Sequence, residues 1–315
     1  MRISLPPLLE RMALVSGLLC APSLSLAAQS LDWLQEYSVI TSGDFTSTSS
    51  VHGKILVGGD LAGSNSMDLA VRLSGLVSPS VSTVQVGGSI QSGNPINLQA
   101  GSIEYGGSLN RAVNYNGGGS AIHNPGADYS SIFVELGLTS QALAARPANQ
   151  SLLLPSGQAA GVNFQPVFDA SNEAIYHVSG ADLFSNRLVQ QIDLNLQGGT
   201  GSILINVSGT NLNFNQGNFV GGFNQNSAME RIIWNFYEAE TLNFDRAFSG
   251  QILAPNALIT TNQVINGSVF AREINTRAGI QFPTYRGGDF GVTVPEPSSV
   301  IFMSFSLMAL LRRRR

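Results

Sequence analysis

Two pairs of carboxylates are spaced for chemistry, Glu238 with Glu240 and Asp60 with Asp68. Residues two apart in a strand share a face, and a carboxylate pair in a groove can act as acid and base on a glycosidic bond, or in a lyase. Acids near strand ends are more commonly a solvated rim. His52, His123 and His177 stand far apart, none in HExxH or another metal-ligand spacing, so each reads as structural. Gly58-Gly59-Asp60-Leu61-Ala62-Gly63 does not match the calcium-binding nonapeptide, which leaves calcium as an incidental ligand of surface acids. No catalytic residue, resident metal or cofactor is assigned.

A different kind of chemistry is written into the end of the chain. Pro295-Glu296-Pro297 is followed by an uncharged, mostly apolar stretch from Ser298 to Leu311 and then by Arg312, Arg313, Arg314 and Arg315. As a helix that stretch would rise ~21 Å against a hydrocarbon core of about 30 Å, which makes it a marginal permanent anchor. Four arginines do not readily follow it across, so this end stays cytoplasmic while everything before it lies outside. A plain tail anchor is the other reading, and it asks for about 20 apolar residues.

The front of the chain agrees. Arg2 and Arg11, the apolar run MALVSGLLCA and the small residues before Ala27 and Ala28 fit a secretory signal peptide cleaved after one of those alanines. The only cysteine, Cys20, falls inside it; Gly17-Leu18-Leu19 before it and Ala21 after it give a partial lipobox. The mature chain would then hold no disulfide, and its stability would rest on packing and hydrogen bonds. Three regions are expected: 1–28 as signal peptide, 29–292 as the functional body, and 293–315 as a C-terminal sorting segment with its hydrophobic part at 298–311.

Charge narrows the partners. The chain carries 16 Lys+Arg and 20 Asp+Glu; setting aside Arg2, Arg11, Arg312, Arg313, Arg314, Arg315, Glu10 and Glu296 leaves 10 against 18, a net of −8. Nucleic acid is excluded as a natural ligand, because phosphate binding rests on clustered cations and the body has one lysine, Lys54, with arginines scattered singly. Charged residues are only 11% of the chain, which leaves a surface of Asn, Ser, Thr, Gln and Gly suited to hydrogen bonding with sugars or ordered water.

The elements that would carry such a surface are short strands. Lys54-Ile-Leu-Val-Gly-Gly-Asp-Leu61, Thr83-Val-Gln-Val-Gly-Gly-Ser-Ile90 and Ser102-Ile-Glu-Tyr-Gly-Gly-Ser-Leu109 repeat one pattern, with an excursion from Ala62 to Ser82. A second set runs from Ser202 to Val207, Arg231 to Phe236, Gly250 to Leu253 and Gly267 to Phe270, in which Ile233, Ile252 and Val269 stand at matching positions. Coils of about twenty residues that stack their apolar rows make a β-solenoid; a sandwich with Gly-Gly hairpins is the alternative. The glycine pairs are expected at corners, where φ > 0 lets the chain bend. Trp234, Phe236, Leu242 and Phe244 read as one buried row, Pro255 as a corner, and Asn256, Asn262 and Asn266 as turn residues bonding to backbone groups.

One helix interrupts this pattern. Asp128 can N-cap a run from Tyr129 to about Ala145, with Tyr129, Ile132, Phe133, Leu136, Ser140 and Leu143 at three-and-four spacing, ending before Pro147. Its stripe is expected along the flank of the stack. A second short helix at Ser30 to Tyr37, with Trp33 and Leu34 on its apolar side, is expected to cap the first coil.

These blocks resemble known ones. The tail resembles the PEP-CTERM sorting signal of Gram-negative bacteria, which implies cleavage near Pro295-Glu296-Pro297 by an exosortase after transient residence in the inner membrane. Val51-His-Gly-Lys-Ile-Leu-Val-Gly-Gly-Asp-Leu61, Ile232-Ile-Trp-Asn-Phe-Tyr-Glu-Ala-Glu-Thr-Leu242, Gly250-Gln-Ile-Leu-Ala-Pro-Asn-Ala-Leu-Ile259 and Ile265-Asn-Gly-Ser-Val-Phe-Ala-Arg-Glu-Ile274 resemble the choice-of-anchor A family of surface proteins. The end blocks also resemble ice-binding-like solenoids, in which a long helix lies beside a discontinuous β-helix. The implied fold is mainly β: an irregular right-handed β-solenoid with one helix alongside, an N-terminal signal helix and a C-terminal transmembrane helix.

The expected function is that of an exported surface or matrix protein whose polar faces adhere to exopolysaccharide or another surface glycan. Ice binding is the first alternative. It demands a flat face of regularly spaced hydroxyl and methyl groups, and the sequence offers Thr46-Ser47-Thr48 but no repeated Thr-x-Thr. A polysaccharide-active enzyme built on the acid pairs is the second.

Overall fold

The glycine pairs stack on one another, and that stacking sets the architecture. In the computed structural model, which describes residues 31–292, Gly87 donates its N–H to Val57 and Gly106 donates to Val86, at 2.7 and 2.9 Å. A Cβ on Gly87 would lie 2.6 Å from the Gly58 carbonyl oxygen, and one on Gly106 would meet the Gly87 oxygen closer still. None of these glycines has a positive φ, contrary to expectation. Close approach of successive coils, not a left-handed bend, is what demands glycine here.

Every strand pairing described is parallel, so the stack is built of coils rather than hairpins. The main sheet runs, in spatial order, Ala121–His123, Ser102–Tyr105, Ser82–Val86, Lys54–Val57, Tyr37–Thr41, Val269–Thr276, Gln251–Thr261, Ile232–Asn235, Ser202–Ser208 and Glu173–Ser179. The chain therefore starts in the middle and winds outward to Ala121–His123. It resumes at the opposite end with Glu173–Ser179, then winds back until Val269–Thr276 lies against Tyr37–Thr41. The short helix Asp32–Glu36 precedes this central strand, so it packs over the middle of the sheet and caps no end. The segment after Arg146 covers the far edge, where Asn149 and Gln150 donate backbone N–H to Ile175.

Alternation along each strand sends one row inward and one outward. Val39, Val269, Ile252, Trp234, Ile205 and Tyr176 are in register and buried in the core. The sequence had placed Ile233 level with Ile252; Trp234 holds that position, and Ile233 lies opposite Gln251. A one-residue slip reverses the faces. Ile233 accordingly joins a second apolar cluster with Ile40, Leu56, Leu204, Leu253 and Phe270 outside the sheet.

The long helix covers that outer face. It spans Ser130–Ala144, one residue shorter at each end than expected, with Leu136, Thr139, Ser140 and Leu143 buried. Asp128 still serves its start, accepting the Ser130 N–H at 2.9 Å, and this bond holds the exposed carboxyl below the usual range. Phe133 stacks on Phe270 with ring centroids 6.4 Å apart. Among the described residues no helix is long and apolar enough to cross a membrane. The signal segment with Ala27 and Ala28, and the tail with Pro295, Glu296, Pro297 and Arg312 to Arg315, lie outside the described residues.

Candidate adhesive face

Turning the corner at Pro255 produces a second face. Gln251–Thr261 pairs first with Ile232–Asn235 and, past a register shift between Ala254 and Leu258, with Thr241–Phe244. Here Leu212, Leu242, Ile259, Ile274 and Phe45 align inward and are buried. Between them and the next inward residues, Asn213, Asn243, Thr260, Asn275 and Thr46 align outward. A second outward row, Asn211, Thr241, Leu258 and Glu273, runs beside the first.

The geometry of the grid follows from the sheet. Neighbouring coils lie ~4.8 Å apart, and residues two apart along a strand ~6.7 Å apart. Side-chain bonds tie the coils together: Asn243 donates to Asn213 Oδ1 at 2.9 Å, and Thr241 donates to Asn211 Oδ1 at 2.8 Å. A second ladder stands on another face, where Asn114 donates to Asn97 and Asn97 to Asp68, at 2.9 and 3.0 Å. Such rows are regular, nearly uncharged and pre-bonded. They can offer a long ligand an array of amides and hydroxyls in the same orientation.

The turns at the edges of this face are held by a different set of residues from those expected. Side chains of Asn256, Asn262 and Asn266 take part in no hydrogen bond among the described residues. Ser47, Thr276 and Thr261 stack in register and are buried, and their hydroxyls accept from Ser49, Ala278 and Gln263, each two residues on. Sequence spacing could have found this, because all three have the form Ser/Thr-x-x at a strand's end.

The acids do not assemble into a catalytic pair. Asp60 accepts from Ser89 N–H at 2.7 Å and Gln91 at 2.6 Å, continuing a ladder in which Asp44 accepts from Asp60 N–H at 2.8 Å. Asp68 belongs to another sheet, in the strand Met67–Leu69. Glu238 accepts from the Gly209 N–H at 2.6 Å, while Glu240 is exposed. The histidines are equally dispersed. His52 Nδ1 accepts from the Phe282 N–H at 3.3 Å, His123 stacks on Tyr105, and His177 Nε2 lies 2.8 Å from the Arg146 carbonyl. Among the described residues no group of three or more His, Cys, Asp or Glu is placed to hold a metal ion.

One buried cation escaped sequence reading. Arg111 is 7% exposed, and its guanidinium donates to carbonyls of Gly63, Asn65 and Asn94, locking the corners of three coils. Burial lowers its pKa.

Fold and face together define a parallel coil stack that presents ordered polar rows. The chain belongs to the ice-binding-like adhesive domain family: the family described as "Putative Ice-binding-like adhesive domain" matches residues 30–282. No curated protein matches it in sequence. Solved structures similar to it include an ice-binding protein from the Antarctic ascomycete Antarctomyces psychrotrophicus, at 10% identity, 81% of this chain, 98% of that one and a TM-score of 0.32. A glycosylated ice-binding protein from an Arctic yeast is similar at 11% identity, 87% and 97% coverage and a TM-score of 0.36. An ice-binding protein domain from Shewanella frigidimarina is similar at 13% identity, 82% and 97% coverage and a TM-score of 0.38. The family description names adhesion.

Proposed function

We propose that this protein is an exported adhesin of the cell surface or extracellular matrix, of the choice-of-anchor A kind, which holds exopolysaccharide along its Asn/Thr face. The carrying observation is the outward row Asn213, Asn243, Thr260, Asn275 and Thr46, an uncharged array that repeats with the coil spacing. The five positions of this row, ~4.8 Å apart, run ~19 Å, long enough to meet several consecutive sugars of a polymer. With a net charge of −8 the body has no long-range attraction for an anionic polymer, so contact rests on short-range, oriented hydrogen bonds.

In this reading residues 1–28 direct export, and 293–315 hold the chain in the inner membrane until an exosortase cuts near Pro295-Glu296-Pro297. Deleting Pro295 to Arg315 is then expected to change where the protein accumulates, and deleting the gene to weaken cell aggregation or matrix retention. No change in either would remove the proposal. The mass of the C-terminal peptide from protein outside the cells reads the cleavage directly.

Ice binding is the second reading, favoured by Thr260, Thr241 and Thr46 standing in the outward rows. Asn, Leu258 and Glu273 interrupt the hydroxyl-methyl pattern that it requires. A thermal hysteresis assay separates the two.

A further inference from the structure

Two cations of the body, Arg231 and Arg286, share one cleft. A cleft of about 250 Å³ beside the starts of the strands Glu173–Ser179, Ser202–Ser208 and Ile232–Asn235 is lined by Asn172, Glu173, Thr200, Arg231, Arg286 and Asp289, among others. The Arg286 backbone N–H donates to the Glu230 carbonyl at 2.6 Å, which sets Arg286 beside Arg231 across two segments far apart in sequence. Arg231 uses only Nε, bonded to the Ser227 carbonyl at 2.7 Å, and so keeps its terminal nitrogens unbonded. Arg286 is exposed and makes no side-chain hydrogen bond or ion pair among the described residues.

Two acids, Glu173 and Asp289, line the same cleft, so its net charge is near zero and the arginines act by geometry rather than by a positive field. Glu173 is 8% exposed and ion-paired with Arg146 at 2.6 Å. Burial pushes its carboxyl up, against the pull of Arg146. Asp289 is turned to its own backbone, accepting from the Gly291 N–H at 2.9 Å. Beside these charges the cleft wall carries the Ser171 and Thr200 hydroxyls and the Asn172 amide, all on exposed residues. Planar guanidinium forks match a carboxylate or sulfate bidentately, and neutral hydroxyl and amide partners match a sugar ring.

We infer that this cleft is a subsite for an anionic sugar, with Arg231 and Arg286 clamping a uronate carboxylate or sulfate ester while Ser171, Asn172 and Thr200 take ring hydroxyls. The inference deepens the adhesive reading and rests on it: neutral stretches of a polysaccharide would lie along the Asn/Thr face, and an acidic unit would be recognised in the cleft. A carboxylate and a sulfate ester share the chemistry and differ in geometry, so the test carries both.

The test measures binding of the full chain in detergent to an oligogalacturonide, its methyl ester, a sulfated galactan oligomer, and vesicles with and without phosphatidylglycerol. Binding to the oligogalacturonide or the sulfated oligomer is expected, with a loss of about tenfold on methyl esterification of the former, and about tenfold for Arg286→Gln. Arg231→Gln is expected to act in the same direction; because it also frees the Ser227 carbonyl, the exposed Arg286 is the decisive position. Failure to bind either anionic oligomer, or equal binding by the methyl ester and by Arg286→Gln, overturns the subsite. Binding confined to the anionic vesicles overturns it in favour of a lipid headgroup. In each of these cases retention of the protein on its own cell matrix, measured in parallel, shows whether the adhesive reading survives.

Discussion

Asn235 donates its side-chain N–H to the Asn206 side-chain oxygen at 2.8 Å, joining two adjacent strands beneath the long helix. The same amides reach the helix, Asn235 to the Ser140 carbonyl at 2.8 Å and Asn206 to the Leu143 carbonyl at 2.9 Å. On the next strand His177 meets the Arg146 carbonyl at 2.8 Å. Three helical residues rise ~4.5 Å and strands lie ~4.8 Å apart, so a helix running across the sheet offers one carbonyl to each strand it passes. The match fixes the helix in a single register.

Replacing Asn235 with alanine is therefore expected to cost about 1–3 kcal/mol, since it strands the buried Ser140 hydroxyl and carbonyl without their partner. The urea midpoint reads this. An unchanged midpoint would mean that water or a neighbour replaces the amide, and that the polar row does not position the helix.

Gly87→Ala and Gly137→Ala should move stability in opposite directions. At Gly87 a methyl group would press on the Gly58 backbone, and a cost of about 1–3 kcal/mol is expected from overpacking. Gly137 sits inside the helix with nothing within 4 Å of a built Cβ, so alanine there should stabilise by about 0.5–1 kcal/mol. Thermal melts of the two variants side by side check both signs.

Much of this architecture was legible as repetition. The Gly-Gly blocks announced stacked coils because each coil must leave room for the next, and the helix announced itself by its apolar spacing. The order of the coils was not legible, since no local pattern tells Tyr37–Thr41 that it will lie beside Val269–Thr276. Nor was the burial of Asn206 and Asn235, because a polar residue at an outward strand position looks solvated until a helix covers it. The outward polar rows were hidden for a related reason. A search for Thr-x-Thr along the chain cannot see Thr46, Asn275 and Thr260 meeting across coils, where the sheet rather than the sequence makes them neighbours.

His52 should make the fold acid-sensitive. Burial, and then the charge of Arg72, lower its pKa from the ordinary 6.5, and its Nδ1 accepts a backbone N–H in the neutral form. As pH falls through that ordinary value the unfolded chain takes up the proton first, so stability is lost between there and the lowered folded pKa. The melting temperature is expected to drop across this window in the native chain and to drop less in His52→Gln, whose side chain keeps an acceptor without titrating. Parallel curves for the two proteins would assign the acid sensitivity to other groups.

Binding by a repeated face should tolerate few charges and should be local to that face. Asn243 and Thr260 are exposed neighbours in the outward row, so the double change Asn243→Lys with Thr260→Lys places two like charges on adjoining coils and removes the Asn243–Asn213 bond, at a cost of about 1–2 kcal/mol that a melt run alongside separates from the loss of binding. Matrix retention is expected to fall sharply. Asn114→Lys, in the exposed ladder with Asn97 and Asp68, adds a cation of the same kind on a different face and is expected to leave retention unchanged. The pair of results separates a specific surface from a general effect of charge: if both proteins lose retention equally, net charge governs adhesion, and the Asn/Thr face has no special part in it.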